Sequence, residues 1–180
     1  MKTKLIFLII PMICLFSFSQ NQVKTINPLM IEFNTPQQSV PFDKIQTSHY
    51  KPAFEAAISE ARTGLETIVN ETAGADFTNT IEALERLNYK LKRIEQVFFN
   101  INSAATSTEI QQLALEISPM LTAYYNDITL NEQLFERVKQ VYESRESLGL
   151  NTEQLKLLED TYKSFVRNGA NLSKTDKDEY

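Results

Sequence analysis

Apolar residues recur at helical spacing through most of this chain. From residue 47 onward they return every three or four positions, which places them on one face of a helix with 3.6 residues per turn. Five such stripes are separated by short polar connections, and short connections favour antiparallel neighbours. The pattern therefore predicts an all-α fold, an antiparallel helical bundle over residues 47–180.

The predicted helix starts share side chains that can cap free backbone N–H groups: Ser48, Thr78 or Asn79, Ser107, Asn131, and Asn151 or Thr152. Glu82 is placed to close a capping box at the second start, and Pro52 falls in the first turn of the first helix. Pro119 removes a donor inside the third helix, where we expect a bend. Gly149 and Gly169 are expected to end the fourth and fifth helices.

Residues 20–46 differ from this pattern because they carry prolines at positions 28, 36 and 41. Each proline restricts its own backbone and that of its predecessor, so we expect an extended arm. We also expect the arm to lie on the bundle, because it carries apolar side chains: Leu29, Met30, Ile31, Phe33, Phe42 and Ile45.

Residues 1–19 are predicted to be a signal peptide and not part of the fold. Lys2 and Lys4 precede an apolar run over 5–18, and the small residues Ser17 and Ser19 suit a signal peptidase. The run is short for a membrane span, so a retained anchor is the weaker alternative. The mature chain is expected to be periplasmic or extracellular, with no membrane partner after cleavage.

A capping box at 173–176, Ser-Lys-Thr-Asp, announces a sixth helix only a few residues before Tyr180. A helix of two turns is too short to be stable alone. Either this segment frays, or the chain is the amino-terminal piece of a longer protein, and we expect the second, with the helical domain truncated.

Composition removes several functional classes. The 18 Lys and Arg against 23 Asp and Glu leave a net charge of -5, without the basic excess that nucleic-acid binding requires. One His and one Cys do not supply a zinc site of the usual kind or a disulfide. His49 is expected to cap or pack a helix start, so we assign no catalytic, cofactor-binding or metal-ligating residue to this chain.

The remaining candidate residues have structural explanations. Glu55 with Glu60, and Glu82 with Glu85, are expected to lie on solvated helix faces. The aromatic pairs at 98–99 and 124–125 are expected in the core, with a peptide-lining role as the alternative. The basic cluster 90–93 is expected on an exposed helix side, and the run 167–169 is expected to end a helix.

Several runs of the sequence resemble one family: 41–45, 49–54, 77–84, 97–104, 117–119, 130–135 and 165–170. Together they resemble the amino-terminal region of the thimet oligopeptidase and oligopeptidase A family of zinc metallopeptidases, and the peptidyl-dipeptidase branch is the most similar. The resemblance implies a larger, mostly helical enzyme in which two halves wall a channel for short oligopeptides.

The family's zinc site is an H-E-x-x-H helix with a further glutamate, and this chain contains no such motif. The resemblance therefore implies that zinc is bound outside this chain, in a missing carboxyl-terminal catalytic region, and that the chain alone is inactive. A free-standing exported module that binds peptides or proteins remains the alternative, and so does an assembly protein. Dipeptide release and internal cleavage both stay open.

Overall fold

The computed structural model describes residues 26–170, and within that range the chain is helical with no strand. The main elements are α1 (Thr47–Val69), α2 (Ala83–Ala104), α3 (Thr108–Thr129), α4 (Glu132–Glu143) and α5 (Thr152–Arg167). The all-α prediction is confirmed. The predicted signal peptide and the capping box at 173–176 lie outside the described residues.

Contacts between the first three helices establish their directions. Tyr50 of α1 packs against Phe98 of α2 at a ring distance of 5.0 Å, and ten residues later Glu60 pairs with Lys90. Rising numbers on α1 thus meet falling numbers on α2, so the two helices are antiparallel. Lys51 pairs with Glu116, and Arg62 pairs with Asp127, so α1 and α3 run parallel, as alternate helices of an up-down-up bundle do.

An aromatic ladder joins the last two helices. Phe135 of α4 stacks on Phe165 of α5 at 5.8 Å, and Tyr142 stacks on Tyr162 at 3.9 Å with an interplanar angle of 4°. Because the higher position on α4 meets the lower position on α5, this pair is antiparallel as well. The antiparallel packing expected from the short connections is therefore present between successive helices, both between α1 and α2 and between α4 and α5.

The apolar stripes meet in one core. Phe54 and Tyr50 both pack edge-on against Phe98, and Ile94 and Ile117 are fully buried. Each such side chain contributes about 1.5–3 kcal/mol through removal of its apolar surface from water. This burial, rather than intrinsic helix propensity, holds the bundle together.

Three of the predicted caps are confirmed. Ser107 Oγ accepts a hydrogen bond from the Ile110 amide at 3.2 Å, and Asn131 Oδ1 accepts from the Leu134 amide at 2.8 Å. Asn151 forms a reciprocal capping box with Gln154, at 2.9 and 3.1 Å. Gly169 has a φ of 81° just beyond the end of α5, the left-handed geometry expected of a terminating glycine.

The predicted start residues of the first two helices are wrong. Ser48, the expected cap, lies inside α1, which begins at Thr47 after Gln46, so Pro52 lies in the second turn. A π-helical turn over Phe77–Glu82 precedes α2, and its cap is Asp76, in a reciprocal box with Asn79 at 2.7 and 2.9 Å. The Asp76 carboxylate is favourable at the positive end of a helix, and it starts the helical segment three residues before Asn79.

Two further positions shape the bundle. α3 continues through Pro119, where the Ser118 hydroxyl donates to the Ala114 carbonyl at 2.7 Å, and the bend stays a prediction. Gly64 of α1 lies so close to α2 that an added Cβ would overlap Cδ1 of Leu87. The absence of a side chain at Gly64 therefore lets α1 and α2 approach closely there.

The arm is less extended than expected, since it contains short turns at Pro28–Met30, Pro36–Gln38 and Phe42–Lys44. It docks through Leu29, which is fully buried, and Phe33. Ile31 and Phe42 are corrections, because they remain 45% and 52% exposed. Docking thus uses only part of the arm's apolar surface.

Candidate functional site

Arg93 of α2 holds the arm against the bundle. Its Nη2 donates to the carbonyl oxygens of Leu29 and Ile31 at 3.2 and 3.0 Å, and its Nη1 forms an ion pair with Glu32 at 3.0 Å. The guanidinium also lies 4.7 Å from the centre of the Phe33 ring, in a cation–π contact. We call these four contacts the arm tether.

The arm tether corrects the expectation for the basic cluster at 90–93. Lys90 and Lys92 do form surface ion pairs, with Glu60 and Glu85, but the Arg93 side chain is only 14% exposed. The arm has no strand partner for its carbonyl groups, so the carbonyls of Leu29 and Ile31 take their donors from α2. A planar fork of donors on the neighbouring helix supplies them, which a charge count along the sequence does not reveal.

A groove of about 270 Å³ opens where the arm crosses α2. Its walls include Val40 and Phe42 of the arm and Tyr89, Arg93 and Val97 of α2, and we call it the arm groove. Phe42 and Tyr89 are both more than half exposed. The groove therefore presents two large aromatic surfaces to solvent beside a buried arginine.

A polar network lies between α2 and α3. Tyr124 donates its hydroxyl to Asn88 Oδ1 at 2.7 Å, and Tyr125 donates to Glu95 Oε1 at 2.6 Å. Burial raises the pKa of Tyr124 to about 12, and burial also raises the pKa of Glu95 above its ordinary value. The pKa of Tyr125 is raised as well, by burial and by its hydrogen bond to Glu95. These hydroxyls stay protonated near neutral pH and serve as hydrogen-bond donors.

The aromatic residues singled out in the sequence largely belong to the core. Tyr124 and Phe98 are fully buried, as expected, and Phe99 packs edge-on against Phe98 at 5.1 Å. Tyr125 is only partly buried and uses its hydroxyl internally. None of these four rings presents an open face of the kind that the arm groove presents with Tyr89.

A larger cavity of about 610 Å³ lies where α1 and α3 end. Its charged residues are Arg62, Glu66 and Asp127, and Arg62 pairs with Asp127 at 2.6 Å. Leu130, at its edge, is 61% exposed. The cavity combines that ion pair with the Glu66 carboxylate and amide side chains, and its lining includes no Ser, Thr, Cys, Lys or His.

His49 has the capping role expected of it. Its Nδ1 accepts the backbone N–H of Gln46 at 3.1 Å, and its carbonyl oxygen accepts from the Asn27 side chain at 2.7 Å. The ring thus closes the start of α1, and the backbone ties α1 to the arm. No acidic, serine or cysteine side chain is recorded as a hydrogen-bond partner of the ring within residues 26–170.

The acidic pairs also lie on helix surfaces, as expected. Glu82 pairs with Arg86 at 2.8 Å, and Glu85 pairs with Lys92 at 3.0 Å. Glu60 pairs with Lys90. Each of these carboxylates thus faces a cation, not another carboxylate, which is the arrangement of a solvated helix face.

Residues 26–170 do not fit the zinc that the family resemblance implies. Among residues 26–170 no three His, Cys, Asp or Glu side chains are grouped to hold a metal ion. The ring of the one histidine in the sequence already accepts a backbone hydrogen bond through Nδ1. A zinc site needs three or four such ligands converging on one point, and the described helices do not provide them.

Arg137 of α4 plays a part similar to that of Arg93, and sequence reasoning missed it. Its Nη1 donates to the carbonyl oxygens of Glu71 and Ala73 at 2.9 and 3.2 Å, and its Nη2 donates to Asn79 at 3.0 Å. We call this set the loop tether, because it holds the connection between α1 and α2.

No helix of the described part has the length and apolar character that crossing a membrane requires.

Comparison with known proteins gives the family. No family model matches the sequence. The chain is 43% identical over 151 residues to the dipeptidyl carboxypeptidase of Salmonella typhimurium and 39% identical over 153 residues to that of Escherichia coli. It is 27% identical over 154 residues to oligopeptidase A of Escherichia coli.

These matches cover 84–86% of the chain but 22% of each relative, so the chain spans about a fifth of the length of the curated relatives it matches. The ordered series of motifs, the all-α bundle and the identity to two groups of peptidases agree with one another. The chain belongs to the family of the thimet oligopeptidases, oligopeptidase A and the peptidyl-dipeptidases.

Proposed function

We propose that this chain is the amino-terminal, channel-wall portion of an exported zinc-dependent oligopeptidase. The complete polypeptide would hydrolyse peptide bonds of short oligopeptides in the manner of a peptidyl-dipeptidase. The observation that carries this proposal is the 43% identity, over 84% of the chain, to a protein named dipeptidyl carboxypeptidase.

The structure favours a structural role for this part of the enzyme over a catalytic one. The described side chains form caps, tethers and surface ion pairs, and they do not bring a general base to a nucleophile or to a metal site. What the bundle offers is a rigid shape with a packed core. We therefore expect no peptidase activity from the chain alone, with or without added zinc.

Export is part of the proposal and rests on residues 1–19. Their two lysines, apolar run and small residues are typical of a secretory signal. Amino-terminal sequencing of the product from its native cells checks this directly, with a start near residue 20 expected. A product that begins at Met1 and stays in the cytoplasm would contradict export and leave the peptidase family unchanged.

The alternative is a free-standing exported helical module that binds peptides or proteins. One observation favours it, since the described helices close a continuous core of their own. Sequencing the coding DNA beyond the Tyr180 codon separates the two. A continuing frame with an H-E-x-x-H motif supports the peptidase, and a stop with no such frame downstream supports the module.

A chimera tests the structural role itself. The matched region of the Salmonella typhimurium dipeptidyl carboxypeptidase is replaced by the corresponding residues of this chain, and dipeptide release from short peptides is measured. We expect the chimera to retain activity, and we expect none from the same host with the region deleted. A folded chimera that releases no dipeptides would overturn the channel-wall assignment.

A further inference from the structure

We infer that the arm groove is a contact surface for the remainder of the larger polypeptide, an inference that rests on the proposed function. The occupant would be a protein surface that offers an apolar side chain flanked by main-chain hydrogen-bonding groups.

The relatives are much longer than this chain, so the complete polypeptide has surface that can contact the bundle. The relatives extend well beyond the matched region, which is 22% of their length. A polypeptide several times larger than this bundle must cover part of its surface if the two form one enzyme. Exposed apolar patches with polar surroundings are the surfaces that proteins use for such contacts.

Exposed apolar side chains of this chain include two aromatic residues of the arm groove. Seven large apolar side chains are more than a third exposed within the described range: Ile26, Ile31, Phe42, Tyr89, Leu115, Leu130 and Leu148. Phe42 and Tyr89 line the same groove, and Ile31 is joined to it through the hydrogen bond from Arg93. Leu115 and Leu130 lie on α3 and at its end, and neither lines the groove. Exposed aromatic surface is thus concentrated at the arm groove.

Amide side chains also line the arm groove. Gln38, Gln96 and Asn100 also line the groove, and no hydrogen bond of their side-chain amides to the described residues is recorded. Side-chain amides can both donate and accept, so these three residues suit a neighbouring main chain, which presents both N–H and C=O.

Several contacts hold the arm in place on the bundle. The arm tether, the burial of Leu29 and the hydrogen bond from Asn27 to His49 fix the arm on both sides of its first turn. A wall held in this way loses little conformational freedom when a partner binds, so more of the contact free energy appears as affinity. The part of the groove that Glu32 and Phe33 form is therefore held in place before an occupant arrives.

Tyrosine nitration tests this inference with the protein as cells make it. The gene product is purified from its native source, its mass is determined, and tetranitromethane labelling of Tyr89 is followed and compared with that of the 180-residue chain. Tyr124 is the internal control, because it is fully buried and should resist labelling in both samples. We expect a longer product in which Tyr89 reacts at least about tenfold more slowly, since the core of an interface packs like a protein interior.

Each result decides something different. A longer product in which Tyr89 reacts as fast as in the chain overturns the contact surface and leaves the proposed function intact. A product of the chain's own length with reactive Tyr89 overturns both. A product of that length with protected Tyr89 also overturns both, because a separate molecule would then occupy the groove.

Discussion

Two irregular segments of this molecule are held by arginines, but in different ways. The arm has Arg93 together with buried Leu29 and Phe33, while the loop between α1 and α2 has Arg137 and little apolar burial of its own. Each guanidinium binds two backbone carbonyls, and each has a buried Nε without an acceptor in the described part. The comparison separates what an arginine fork contributes from what apolar burial contributes.

The largest effect is expected from Leu29→Ala. Leu29 is fully buried, so its truncation removes apolar burial and leaves a cavity, and we expect a loss of about 2–5 kcal/mol in the free energy of unfolding. Urea unfolding of the chain measures it. Ile31→Ala is the matched control on the same arm, and it should cost about 0.5 kcal/mol or less because the residue is exposed. Equal losses for the two variants would contradict docking of the arm.

Arg93→Ala should have the next largest effect. It leaves the carbonyls of Leu29 and Ile31 without their donor, and hydrogen bonds to charged groups contribute about 1.5–3 kcal/mol. Limited proteolysis should then cut the arm first, ahead of the helices. Arg93→Lys retains the charge but not the fork, so we expect it to protect the arm only in part. Full protection by lysine would show that charge alone holds the arm.

Arg137→Ala should produce a smaller, local effect of about 1 kcal/mol, because the loop has little burial to lose with it. Proteolysis should increase within the loop 70–76, while the arm stays resistant. Arg86→Ala is the control, since its exposed pair with Glu82 is worth only about 0.3–0.5 kcal/mol. Release of the arm in Arg137→Ala would mean that the two tethers are coupled.

The smallest effect concerns pH and a group that belongs to neither tether. The folded pKa of Glu95 is raised, so the folded state binds its proton more tightly and the favourable contribution is present below the ordinary pKa. That contribution is lost as the pH rises through the folded pKa. Glu95→Gln should therefore gain stability relative to the parent chain between pH 4 and pH 7, as urea unfolding at both values would show. An unchanged difference would mean that Glu95 is not desolvated.

Sequence reasoning was strongest where the cause is local. The caps at Ser107, Asn131 and Asn151 depend on residues within three positions of each other, so their pattern is visible in the chain. The start at Asp76 was missed because Asp76, Thr78 and Asn79 all have capping side chains, and the competition between them is settled by three-dimensional geometry. The all-α fold followed from spacing alone.

The candidate surface was less predictable because it depends on distant neighbours. Arg93 lies more than 60 positions from the carbonyls it binds, and Arg137 lies more than 60 positions from Glu71. Nothing in a run of basic residues indicates which one turns toward an arm elsewhere in the chain. A useful signal is the arm itself, since the backbone carbonyls of a docked segment with no strand partner take donors from an adjacent helix.

The close approach of α1 and α2 at Gly64 has an evolutionary consequence. Any side chain at position 64 meets Leu87, so a larger residue at 64 is tolerated when position 87 becomes smaller or its side chain swings outward. Among relatives, the two positions should therefore vary together, with combined volume conserved more closely than either identity. Such covariation would record the spacing of two helices in a pair of residues that lie far apart in the sequence.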